Sequence, residues 1–112
     1  MTTDKFNITI EKQMSLCKSI LCLKAVEYAT QDRLHNFKVA AVIENCTPVR
    51  ALGGMMAKHT VSVYDMINSG KDYPMELWDE KITDSINYLL LLKAMVEEGK
   101  ENGLERRCGA DT

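Results

Sequence analysis

Apolar positions along the chain recur at three- and four-residue steps, the spacing of one helical face. The first run holds Met14, Cys17, Leu21 and Ala25, with Ile10, Leu16 and Ile20 beside it. It predicts a helix that starts near Asn7 or Thr9, either of which can cap it, and ends near Ala29. Thr30 can cap a second segment, Gln31 to Glu44, with Leu34, Phe37, Ala41 and Val42 on its apolar side. The pattern leaves open whether these segments are two helices or one bent helix. Cys46-Thr47-Pro48-Val49 is a clearer boundary. Thr47 is a good N-cap, and Pro48 suits a first helical turn, where its missing N–H costs nothing. A helix to about Asn68 follows, with Leu52, Met55, Met56, His59, Val63, Met66 and Ile67 as its stripe. Gly53-Gly54 inside it costs about 1 kcal/mol per glycine. The pair is expected to serve close helix packing or close approach of a ligand.

Gly70 and Pro74 delimit a loop over residues 69–74, because Gly suits a helix C-terminus and Pro cannot continue one. The last helix is predicted from Pro74 or Met75 to about Glu98, with Gly99 as its stop and a polar, frayed tail over 99–112. Ile86, Leu89, Leu90, Leu91, Leu92, Met95 and Val96 cover most of its circumference. Such a helix is buried on all sides, which predicts a central position, a subunit interface or both. Only Phe6 to Ile10 shows anything like strand alternation. The expected fold is all-α: one domain over 1–112, with a helical core of about 8–98, forming an oligomeric bundle of about four helices.

Length and charge sharpen this picture. A chain of 112 residues makes one domain with a modest core, and association buries more. With 46% hydrophobic and 27% charged residues it has a globular composition. A net charge of -2 and a pI near 5.7 give no basic face, so nucleic acid is not an expected partner. The polar N-terminus has no signal-peptide pattern, and the longest apolar run, Leu89 to Leu92, is far short of a membrane span. The expected location is the cytoplasm, without membrane attachment. Cys17 and Cys22 read as small core residues of a reduced compartment, and Cys108 as an exposed thiol in the tail. No C-x-x-C pair occurs, and His35 and His59 lack zinc-finger spacing, which argues against structural zinc.

Three polar groupings are candidates for chemistry. On the last helix Glu80 and Asp84 lie four apart, and Asn87 and Tyr88 continue their face. Two carboxylates one turn apart can share Mg²⁺ with substrate phosphates; the alternative is a solvated acidic edge that favours the helix dipole. The second grouping holds Glu27, Tyr28, Asp32, Arg33, His35 and Asn36. Tyr28, Asp32 and Asn36 share one row if the segment is helical, and Arg33 can fork onto a phosphate or a carboxylate. The alternative is a charged surface. The third is Lys58, Ser62 and Asp65, where Lys58 either neutralises a phosphate or belongs to a solvated Lys-Asp row. His59, beside the apolar stripe, reads as a satisfied core or edge residue. The chain has no G-x-S-x-G elbow, Walker loop or G-x-G-x-x-G. Metal-assisted attack of water on a phosphate is the enzymatic chemistry its residue types fit best.

The stretch Tyr28-Ala29-Thr30-Gln31-Asp32-Arg33-Leu34-His35-Asn36-Phe37 resembles a segment of phage-encoded MazG-like, nucleotide-modification-associated proteins. Met56-Ala57-Lys58-His59 and the run from Glu80 to Leu90 resemble later segments of the same group, so the resemblance spans roughly residues 14 to 98. It implies an all-α fold related to nucleotide pyrophosphohydrolases, in which carboxylates on two helices hold Mg²⁺ against a nucleoside triphosphate. Carried over, Glu80 and Asp84 are the catalytic carboxylates. Glu27 and Asp32 join them as metal ligands. Tyr28, Arg33, Asn36, Lys58, Asn87 and Tyr88 contact the substrate. The chain departs from the pattern, because the E-E-x-x-E cluster of the earlier helix is absent and the later pair is spaced by four rather than three. Three expectations follow: a Mg²⁺-dependent pyrophosphohydrolase, a non-catalytic protein that sequesters a nucleotide or nucleotide-derived signal, and an interaction protein whose polar rows are surface.

Overall fold

The computed structural model describes the backbone of residues 1–27 and 32–110, and the side chains of 1–22 and 32–103. The chain folds into α1 (Thr3–Glu27), α2 (His35–Glu44), α3 (Pro48–Ser69) and α4 (Met75–Ala110), with no strand among the described residues. No described helix is long and apolar enough to cross a membrane. The expected cap Thr30 and the start at Gln31 lie outside the described residues.

α1 starts earlier than its apolar pattern does. The Thr2 hydroxyl accepts the Lys5 N–H, whereas Thr9 sits inside the helix and donates to the Lys5 carbonyl. Most of the first three turns is exposed, so no apolar stripe marks them. At the other boundaries local chemistry acts as expected. Asn45 takes the left-handed conformation (φ 54°) that ends α2, and its short side chain tolerates it better than most. The Thr47 hydroxyl accepts the Arg50 N–H, and Pro48 opens α3. Gly70 ends α3 at φ 66°, where a side chain would be strained.

α4 runs past its expected stop. Gly99 has no positive φ, and helix-forming residues such as Lys100, Glu101 and Leu104 follow it, so the loss of about 1 kcal/mol at one glycine does not end the helix. The tail is helical through Ala110, and 36 residues at about 1.5 Å each account for the 58 Å long axis of the molecule.

α4 is central, packing against α1 on one side and α3 on another, while α2 packs on α3. The core gathers Leu34, Phe37, Leu52 and Met95, with Met55, Met56, Tyr88, Leu91 and Leu92 against it. Among the described residues α1 packs on α4, with a polar link in which the Gln13 side-chain amide donates to the buried Thr83 hydroxyl at 2.8 Å, and Cys17 is buried on α1. Cys22 is exposed rather than a core residue, one turn and a quarter beyond Cys17 on a helix covered on one side only. The Cys108 side chain lies outside those described. Leu89 and Leu90 are exposed, so α4 is apolar both toward the core and away from it. Gly53-Gly54 does not serve close helix packing among the described residues, since a Cβ at either position meets nothing within 4 Å.

Candidate functional site

A cavity of about 230 Å³ opens where all four helical segments converge. Leu21, Phe37, Met55 and Leu91 supply apolar walls from α1, α2, α3 and α4. Arg33 and Asn36 line it from the start of α2, and Asp84, Asn87 and Tyr88 from one face of α4. Sites for drug-sized ligands are typically about 300–1,000 Å³, so this cavity suits one flat ring system with the rest of a ligand outside.

Asn87 is its most informative residue. The residue is 6% exposed, and both its amide nitrogen and its amide oxygen lack a hydrogen-bond partner among the described residues. A buried amide atom left unpaired costs about 1–3 kcal/mol, and such groups in folded proteins call for a specific explanation. Thr83, one helical turn earlier and fully buried, has its partner in Gln13. In the groove between α1 and the start of α4, lined by Thr9, Lys12, Gln13, Leu16, Met75 and Asp79, the Gln13 amide is thus already partnered.

Asp84 lies one turn before Asn87, and its carboxylate is 3.7 Å from His59 Nδ1 on α3. The His59 ring is tilted over Tyr88 at a centroid distance of 4.7 Å, and Phe37 meets Tyr88 edge-on at 6.4 Å. His59 is thus a partner of two cavity residues. Sequence reasoning placed it at the core edge and missed that role, because its partners lie a helix away.

Asp32 takes a different position from the one a continuous helical row implies. Its carboxylate accepts the Leu34 N–H and pairs with Lys38 Nζ at 2.6 Å, and the same ammonium reaches Glu98 on α4 at 2.7 Å. The segment turns at Asp32 and becomes helical only at His35, so Asp32 and Asn36 are not one turn apart on a helix. The Lys38 hydrogen bond, helped by the Leu34 N–H, lowers the Asp32 carboxyl below its ordinary 3.8. Asp32 and then Glu98 raise the Lys38 ammonium above its ordinary 10.5. A depressed carboxyl contributes stability above its unfolded value and loses it as pH falls through the folded one. A raised ammonium contributes below its unfolded value and loses it as pH rises through the folded one. The bridge from α2 to α4 is thus complete between those limits. In Lys38→Met the Asp32 carboxyl is expected to rise toward its ordinary value, with the Leu34 N–H still lowering it, which an NMR pH titration checks.

Of the other expected residues, Lys58 is exposed and outside the cavity lining. Glu80 is also exposed, one turn before Asp84 and away from the cavity. The Glu27 side chain and Tyr28 lie outside the described residues. Among the described residues no three His, Cys, Asp or Glu side chains gather closely enough to hold a metal ion. Asp84 is the one described carboxylate that lines the cavity, 3.7 Å from His59 Nδ1. A Mg²⁺ ion held by one or two carboxylates and by substrate phosphates needs no such group of three.

The described residues thus form an all-α fold with an apolar-walled cavity and, at its lining, an amide without a described partner. Compared with protein-family profiles, curated proteins and solved structures, the chain matches none of them.

Proposed function

We propose that this chain is a nucleotide-binding protein, with the base held in the cavity and the phosphates outside it. The observation that carries the reading is Asn87, whose buried donor and acceptor both lack partners within the chain. A base edge offers a matching donor and acceptor, and it is flat enough for a cavity walled by Phe37, Tyr88 and aliphatic side chains. Arg33 at the lining is suited to an anionic group. Binding without turnover is favoured over pyrophosphohydrolysis, because the described carboxylates named for Mg²⁺ are dispersed: Asp32 pairs with Lys38, Glu80 lies outside the cavity, and Asp84 alone lines it. A MazG-like scaffold of phage origin in the host cytoplasm, sequestering a nucleotide or nucleotide-derived signal, belongs to the same proposal.

Thermal melting of the full chain against a panel of nucleoside monophosphates tests it. A ligand at a hundred times its dissociation constant adds about 2.7 kcal/mol, a shift of many degrees for a chain this size. No shift with any nucleotide sinks the proposal and leaves the interaction-protein reading.

Self-association is part of the proposal. The radius of gyration is 17.6 Å, against about 13 Å for a compact chain of this length. Ile82, Leu89 and Val96 are exposed along α4 at seven-residue spacing, a seam that suits a second helix. Leu89→Glu is expected to lower the mass found by sedimentation; a native monomer would remove the oligomer from the account.

A further inference from the structure

We propose that the base recognised in the cavity is guanine, an inference that rests on the nucleotide reading above. Asn87 and Asp84 both line the cavity and are three residues apart on α4, so their Cβ atoms lie about 5–6 Å apart, the breadth of one base edge. The Asn87 amide has both atoms unpartnered. An amide pairs in two-point fashion with a ring carbonyl beside a ring N–H: its nitrogen donates to the carbonyl and its oxygen accepts from the N–H. Guanine presents that pair and, next to it, an exocyclic amine. Asp84 supplies the acceptor for this third group. The His59 contact at 3.7 Å leaves the carboxylate with lone pairs to spare and keeps it on the α3 side of α4.

The other bases leave something unsatisfied. Hypoxanthine and uracil match Asn87 but have no amine for Asp84. Adenine satisfies Asn87 through its amine and ring nitrogen and then turns a C–H toward the carboxylate. Xanthine replaces the guanine amine with a carbonyl, so two acceptors face each other. Discrimination therefore resides in Asp84, with Asn87 selecting the lactam edge and Asp84 selecting the amine.

The test is calorimetric titration of the full chain with guanosine, inosine, adenosine and xanthosine monophosphates, for the natural sequence and for Asp84→Asn. The natural chain is expected to bind the guanosine nucleotide about tenfold or more tightly than the inosine nucleotide, the worth of one hydrogen bond to a charged group. Asp84→Asn presents a donor where the carboxylate stood, so it is expected to prefer xanthosine over guanosine monophosphate. Equal affinity of the natural chain for guanosine and inosine nucleotides overturns the guanine assignment while leaving nucleotide binding intact. Absence of binding by every nucleotide overturns both. The comparison within the natural chain decides the matter even if Asp84→Asn does not fold.

Discussion

Asn87→Leu is expected to make the chain more stable and unable to bind its ligand. Leucine has nearly the shape of asparagine and no polar atoms. The substitution removes two buried groups that lack partners in the ligand-free chain. The gain is about 1–3 kcal/mol, seen as a rise of several degrees in Tm. The same change deletes both hydrogen bonds to the base, each worth roughly a factor of ten, so affinity is expected to fall about a hundredfold. Stability and binding moving in opposite directions is the mark of a residue kept for a ligand. Melting and calorimetry on one preparation check both. A lower Tm would mean that the amide has a partner inside the fold.

Leu52→Ala is expected to give the largest loss of stability. Leu52 is completely buried on α3 and belongs to the cluster that joins Leu34 and Phe37 to Met95 of α4. Truncation there costs about 2–5 kcal/mol, since the neighbours refill only part of the space. That is a large fraction of the roughly 5–15 kcal/mol that holds a domain of this kind, and it lowers Tm by roughly 10 °C or more. Because α2, α3 and α4 all meet at this cluster, the Asn87 cavity is expected to loosen with it. Denaturant unfolding measures the loss. A change under 1 kcal/mol would mean that the core lies elsewhere.

The helices were legible where local chemistry sets them. Thr47 with Pro48, and Gly70 with Pro74, mark α3 and the start of α4, because caps and turn residues act within a few positions. The first turns of α1 and the last turns of α4 were not legible from apolar periodicity, since long solvated helix ends carry no stripe to read. A single glycine such as Gly99 weakens a helix without ending it.

The site was legible to the extent that periodicity gives a face. Asp84, Asn87 and Tyr88 share one face of α4, and the structure turns that face toward the cavity, where Arg33 and Asn36 join it. Periodicity does not give depth. Glu80 continues the row of Asp84 yet lies outside the cavity. Lys58, on α3 next to His59, is exposed while its neighbour reaches Asp84 and Tyr88. The walls Leu21, Met55 and Leu91 have the sequence signature of ordinary core. That Asn87 is without a partner while Thr83 has one depends on Gln13, seventy residues away in the chain.

The central claim is that the Asn87 amide is the point of ligand contact, and its own side-chain resonances test this most directly. In the nitrogen-labelled full chain, assigned by comparison with Asn87→Leu, the Asn87 amide pair is expected to shift strongly as guanosine monophosphate is added. A nucleotide that binds and leaves that pair unmoved would contradict the account.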